Sequence, residues 1–363
     1  MYIERTSYYA RPGQAEAVGQ TRRDACEVRR RLGLSAGSVY LKAHPGDDGP
    51  DVQWECAYAT TAEHDADLAA RATSPEFEAV RKRMRGLIDR FERHFLYADR
   101  PQAADHWAGD VRLEGLAIAP REVAYPSDGR SLAGYLYLPP GPGPFPCMVV
   151  NHGSGVHQGS NDVCKPSVAS VLMSWGIACL YPHRRGYGNS PGTPWREDVS
   201  AEFGSEAYDR QLAARLDVES DDVVAAFDYL KDQPEIRGAN IGVMGSSFGG
   251  TNTLLAAAKC ADFRCAVEFA GAAMNWERTA NLRRLMFDAA ARLTQPIFFI
   301  QAANDYSVAP TRELAASLEG SGKDVEAKIY PAFGLTTEEG HLFERHGMLV
   351  WGPDVRRFLE RCL

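Results

Sequence analysis

The stretch Ile241-Gly242-Val243-Met244-Gly245-Ser246-Ser247-Phe248-Gly249-Gly250-Thr251-Asn252-Thr253-Leu254-Leu255-Ala256-Ala257-Ala258 decides the fold. Its apolar start reads as a buried strand and its small-residue end as a helix. Between them lies Gly-Ser-Ser-Phe-Gly, a G-x-S-x-G in the strand-turn-helix setting of a nucleophile elbow. The glycines are a steric requirement, because a side chain two positions from the nucleophile collides with the neighbouring strand and helix. That selects Ser247, flanked at two positions by Gly245 and Gly249. Ser246 would be flanked by Met244 and Phe248. A glycine-rich turn can also be only a turn, or a phosphate cradle, but the P-loop lysine and the G-x-G-x-x-G spacing are both missing.

A serine hydroxyl needs a base and an orienting acid. In this setting they follow in the order serine, acid, histidine. Asp305 follows the apolar run 296–302, at the end of a strand where sites on parallel sheets form. His341 follows the run 325–330, in an expected loop before the final helix. His346 is the rival base, and Asp262, Asp354, Glu338 and Glu339 are rival acids. The oxyanion needs backbone donors. One is the Phe248 amide. The other is expected from Asn151-His152-Gly153-Ser154-Gly155, with Ser154 favoured and Gly153 or Gly155 as neighbours. His152 reads as packing support for that loop.

Working outward, apolar strand candidates at 121–126, 132–138, 145–151, 177–182, 240–245, 265–270, 296–302 and 325–330 alternate with helical stretches, notably 217–232 and 353–362. That alternation predicts a mostly parallel sheet covered on both faces. Together with His152-Gly153, Arg185-Gly186-Tyr187-Gly188-Asn189-Ser190-Pro191-Gly192, the elbow and Gly340-His341, residues 116–363 resemble the α/β-hydrolase fold. The narrower likeness is to its dienelactone-hydrolase-like and acyl-peptidase-like branch. The resemblance implies an eight-stranded-type sheet and serine esterase chemistry with no metal and no cofactor. Dienelactone hydrolases proper use cysteine where this chain has Ser247, which points to general carboxylic esters. Peptidase, thioesterase and C–C hydrolase chemistry are alternatives on the same fold, as is a non-catalytic binding or assembly protein. Insertions at 191–217 and 272–292 are lid candidates, and Trp195, Trp276 and Tyr306 are the expected substrate contacts.

The first hundred residues have another rhythm. Strands are expected at 2–10, 37–43 and 51–60, and helices at 14–32 and 75–95. The second helix rests on Phe77, Val80, Met84, Leu87, Phe91 and Phe95 at three- and four-residue steps. This is the β-α-β-β-α alternation of a ferredoxin-like module. The opening strand, Arg11-Pro12-Gly13, the Trp54 strand and Ser74-Pro75-Glu76-Phe77 resemble the dimeric α+β barrel superfamily of the antibiotic-monooxygenase and NIPSNAP kind. That resemblance implies a homodimer formed through this domain. The expected division is 1–98, a polar linker at 99–115, and 116–363.

Composition supports the division. The chain has 363 residues and a net charge of −8. Residues 1–100 carry 16 basic and 16 acidic side chains, so the excess acid lies entirely in the rest. The charge argues against a nucleic-acid partner. No apolar run reaches the ~18 residues of a membrane span, and the start lacks a signal-peptide pattern. Eight cysteines without a C-x-x-C pair suggest reduced thiols and a cytoplasmic setting. An acidic catalytic unit disfavours strongly anionic substrates, unless Arg278, Arg283 and Arg284 focus a local field.

Overall fold

The computed structural model describes residues 2–44, 46–58, 61–97, 110–160 and 164–363. The chain divides into two compact units, 1–100 and 101–363. Most of the expected linker, 98–109, lies outside the described residues; 110–115 has no helix or strand.

The first unit runs β1 (Tyr2–Ala10), α1 (Ala15–Arg31), β2 (Ser38–Leu41), β3 (Val52–Tyr58), α2 (Thr61–Ala72), α3 (Pro75–Leu87) and β4 (Ile88–Tyr97). Its sheet has the order β2-β3-β1-β4, with every pair antiparallel. Ser74 starts α3 by accepting from the Phe77 amide at 3.2 Å, and Pro75 occupies the first helical position, where its missing N–H costs nothing. The single helix expected over 75–95 is corrected. The helix ends at Leu87, and Phe91 and Phe95 lie on β4. A spacing of four residues suits both a helical turn and two pleats of a strand, so this stripe continued through the break.

The second unit contains β5 (Arg121–Ser127), β6 (Arg130–Tyr137), β7 (Phe145–Asn151), α4 (Pro166–Ser174), β8 (Ala178–Pro182), α5 (Trp195–Asp198) and α6 (Glu206–Lys231). It continues with β9 (Ile236–Ser246), α7 (Phe248–Lys259), β10 (Ala266–Phe269), α8 (Ala280–Arg292), β11 (Ile297–Ala302) and α9 (Ala309–Glu319). It ends with β12 (Val325–Tyr330), α10 (Thr337–His341), α11 (Phe343–His346) and α12 (Met348–Cys362). Eight strands form one sheet in the order β12-β11-β10-β9-β7-β8-β6-β5. It is parallel from β12 to β8, and β6 joins β8 and β5 antiparallel. Both faces are buried. On β7, Cys147 and Val149 join the apolar layer under α6, α7, α8 and α9, while Met148 and Val150 join the layer under α4 and α12. This explains why the strands read as unbroken apolar runs.

The two expected lid segments are mostly part of these layers. Residues 206–217 begin α6. The inward stripe of α8, Leu282, Met286, Ala289 and Ala290, is buried in the core. Arg283 donates to the Trp276 carbonyl and Arg284 to Asn281, while Arg278 lies over Phe203.

A buried ionic cluster joins α6 to the elbow helix. Glu219, fully buried, accepts from Arg184 at 2.8 Å, Arg215 at 2.7 Å, Tyr187 at 3.0 Å and Asn252 at 3.2 Å. The Asn252 amide also donates to the Phe248 carbonyl at 2.9 Å. Removing one partner of a buried pair leaves an uncompensated charge, at a cost of about 3–5 kcal/mol. Glu219→Ala is therefore expected to destabilise the second unit by roughly that amount in urea unfolding. An unchanged midpoint would show that the cluster does not hold the helices together.

Candidate active site

β7 and β9 lie side by side, with Asn151 opposite Gly245. Their carboxyl ends therefore deliver His152-Gly153-Ser154 and Ser247 to one place. Ser247 has φ 61° and ψ −124°, a strained conformation for a residue with a side chain. A Cβ on Gly245 would lie 2.6 Å from the Gly249 carbonyl oxygen and 2.7 Å from the Asn151 Cβ. A Cβ on Gly249 would lie 2.4 Å from the Asn151 carbonyl oxygen. The glycines thus admit the close approach of strand and helix that fixes the elbow. Phe248 is the first residue of α7, so its amide belongs to the helix-start N–H groups that have no intrahelical acceptor.

Ser247, His341 and Asp305 form one hydrogen-bonded chain. His341 Nε2 is 3.0 Å from Ser247 Oγ, and Nδ1 is 2.8 Å from Asp305 Oδ1. A carboxylate at Nδ1 fixes the ring proton there, leaving the Nε2 lone pair for the serine hydroxyl. His341 ends the short helix α10 rather than sitting in a loop. A capping box of Thr336 and Glu339 starts that helix, which gives Glu339 a structural task. His346 stands on α11 and borders the same cavity without taking the place of His341 beside Ser247.

Two supporting residues, Gln301 and Asn304, carry no motif in the sequence. Gln301 on β11 donates at 2.8 Å to Asp305 Oδ2 and at 2.7 Å to the Ser307 carbonyl. The Tyr306 amide donates at 2.6 Å to Asp305 Oδ1. Asn304 donates to the Phe333 and Thr336 carbonyls at 3.0 and 2.8 Å and accepts from the Phe333 amide at 2.9 Å. It thereby ties the His341 segment to the end of β11. A Cβ on Gly340 would come within 2.6 Å of Asn304 Oδ1, so glycine is needed beside His341. His152 is fully buried. Its Nδ1 faces the Gly153 carbonyl at 2.8 Å, and the Arg184 amide donates to Nε2 at 3.2 Å. Burial, then the Arg184 and His183 charges, hold its pKa well below the ordinary value. His152 is therefore a neutral support for the loop.

A cavity of about 810 Å³ opens over Ser247, lined by Gly153, Ser154, Cys164, Tyr181, Met274 and Met348 among others. Gly153 lies against the serine: a Cβ built on it would be 3.3 Å from Ser247 Cβ. The three expected substrate contacts are placed differently. Trp276 is a core residue, its indole donating to Glu313 at 3.1 Å, because the segment after β10 turns inward. Trp195 packs edge-on against Phe248 at 5.1 Å and donates to the Ser154 carbonyl at 3.3 Å, bracing the loop. Tyr306 meets the His341 ring edge-on at 5.2 Å. None of the three lines this cavity, nor do Arg278, Arg283 and Arg284. Arg345 does, beside a partly buried Lys165–Glu344 ion pair of 2.8 Å. Among the described residues, no group of three or more His, Cys, Asp or Glu is placed to hold a metal ion. No described helix is long and apolar enough to cross a membrane.

Glu268, on β10, is a buried acid close to this chain of groups. It accepts from the Gly271 amide, in a turn where Ala270 and Ala272 have positive φ of 54° and 56°. Burial pushes its carboxyl up to about 8; the Gly271 amide opposes that shift and the Asp305 carboxylate adds to it. Its folded pKa exceeds its unfolded one. The stability it contributes is therefore full below about 4.5 and lost as pH rises toward 8, with a slope of up to about 1.4 kcal/mol per pH unit. Glu268→Gln is expected to remove that slope from urea midpoints measured between pH 5 and 8. An unchanged pH dependence would show that Glu268 is ionised in the folded chain.

Comparison with known proteins bears on the family and the fold. Residues 132–344 match the dienelactone hydrolase family. A polyketide transferase of Penicillium sp is 32% identical over 214 residues, 56% of this chain and 65% of that protein. A quorum-quenching protein of Acinetobacter baumannii is 30% identical over 40% of this chain and 42% of its own length. The chain thus spans less than two thirds of either curated relative. Among solved structures, an esterase of Pyrococcus furiosus superposes with a TM-score of 0.51 at 17% identity, covering 70% of this chain and 95% of that one. An acylaminoacyl peptidase of Pyrococcus horikoshii gives 0.51 at 20% identity, covering 67% of this chain and 42% of that one. With the matched segment spanning more than half of its residues, the chain belongs to the dienelactone hydrolase family, with the α/β-hydrolase fold.

Proposed function

We propose that this chain is a serine hydrolase of small to medium carboxylic esters. The carrying observation is the Ser247–His341–Asp305 hydrogen-bonded chain on a strained elbow. In this reading Ser247 Oγ attacks the ester carbonyl while His341 Nε2 takes its proton. The Phe248 amide and an amide of the Gly153-Ser154 turn hold the oxyanion. His341 then returns the proton to the leaving alcohol, and the acyl group remains on Ser247. Water, deprotonated by His341, releases the acid. Asp305 keeps the imidazole oriented and stabilises its cationic form. Gln301 and Asn304 position the acid and the histidine segment.

A second reading is acyl transfer from the same acyl-enzyme to an alcohol or thiol in place of water. The likeness to a protein named as a polyketide transferase favours it. Both readings share every step up to acylation and differ only in the acceptor.

A panel of p-nitrophenyl esters, aminoacyl amides and acyl thioesters, with and without an added alcohol or thiol, tests the reading. Ester turnover with water as acceptor is the expected result. Activity confined to amides or thioesters would reassign the scissile bond, and a transferred acyl product would favour the second reading. Ser247→Ala is expected to lose several orders of magnitude in kcat while folding normally. Asp305→Asn is expected to lose about 10⁴-fold, through the wrong imidazole tautomer. A Ser247→Ala variant that keeps most of its rate would contradict the proposal.

A further inference from the structure

The first unit carries a buried cation for which its described residues supply no hydrogen-bond partner. Four arginines lie deep in or beside its helix-covered face: Arg22, Arg29, Arg71 and Arg93. Three have carboxylate partners. Arg29 pairs with Asp67 at 2.5 Å, Arg71 with Asp67 at 2.5 Å and Glu4 at 3.2 Å, and Arg93 with Glu4 at 3.1 Å. Glu4 also faces His64 at 3.3 Å, so both buried carboxylates are shared already. Arg22 is only 5% exposed, and its Nε and one terminal nitrogen are buried with no hydrogen-bond partner among the described residues. Its guanidinium carbon lies over Trp54, 4.0 Å from the ring centre, which supports the cation without satisfying its N–H groups. Thr6, on the adjoining strand, is 1% exposed, and its hydroxyl is likewise unpartnered.

Arg22 and Thr6 border the same cavity, of about 320 Å³, between the sheet and helices α1 and α3. A desolvated guanidinium without an anion is costly, by several kcal/mol in a protein interior. A planar fork of N–H donors matches a carboxylate. Phe77, Val80, Met84 and Phe91 supply an apolar wall; Glu4, already shared by its ion pairs, and Arg81 and Arg85, both paired with Glu78, also border the cavity. The volume is at the small end of ligand pockets.

We infer that this cavity is a binding site for a small organic carboxylate with an apolar or aromatic body. The carboxylate sits on Arg22 and accepts from Thr6, and its body fills the Phe77–Met84 wall. The site is built entirely from the first unit and is independent of the chemistry at Ser247.

The test uses the full chain with 4-fluorobenzoate as probe, followed by fluorine NMR and calorimetry. Arg22→Met keeps the bulk of the side chain and removes the charge. The expected result is saturable binding that weakens at least tenfold in Arg22→Met. The neutral 4-fluorobenzamide is expected to bind at least tenfold more weakly than the acid. Thr6→Val, which has the same shape, is expected to weaken binding several-fold. It carries the test if Arg22→Met fails to fold by circular dichroism. Absent binding, or equal affinity for the wild type and the folded variants, would overturn the inference. Inorganic phosphate binding as tightly as 4-fluorobenzoate would also overturn it, by making the pocket an inorganic-anion site.

Discussion

The site depends on the close approach of the elbow to the end of β7. Ser247 keeps its positive φ because Gly245 and Gly249 let the strand, the helix and Asn151 come together where no Cβ fits. That contact aims the serine side chain into the cavity over the sheet and starts α7 at Phe248. It also brings Gly153 against the serine, so Ser247 and the amides of the Gly153-Ser154 loop are set by one packing constraint. Strain of this kind persists only when its surroundings over-determine it. Here the Glu219 cluster, through Asn252, fixes the first turn of the elbow helix from the far side.

A second set of contacts brings Asp305 and His341 to the serine. Asp305 follows β11, His341 ends α10 after the adjacent strand β12, and Asn304 ties the two segments together. Gln301 and the Tyr306 amide occupy the Asp305 oxygens that His341 leaves free or shares. Burial pushes the carboxyl of the nearby Glu268 up to about 8, which disfavours a second negative charge beside Asp305.

Much of this was legible in the sequence because it depends on local rules. Glycines at two positions from Ser247, apolar runs of strand length and the chain order of serine, acid and histidine are each visible without contacts. What stayed hidden depends on tertiary neighbours. Phe91 and Phe95 extended a helical stripe because strand and helix share a four-residue spacing. Trp276 looked like a pocket residue, yet its segment turns into the core. Gln301, Asn304 and Glu268 carry no motif, and their importance arises only from what they touch. Arg22 reads as an ordinary helix cation until its burial against Trp54 is known.

In the proposed reaction Ser247 is the nucleophile of a covalent acyl-enzyme. Its most direct test is labelling of the intact chain with a fluorophosphonate, followed by peptide mass spectrometry. One adduct per chain is expected, on the peptide containing Ser247, and none on the Ser247→Ala variant. A native chain that takes no label, or takes it on another residue with Ser247 free, would contradict it.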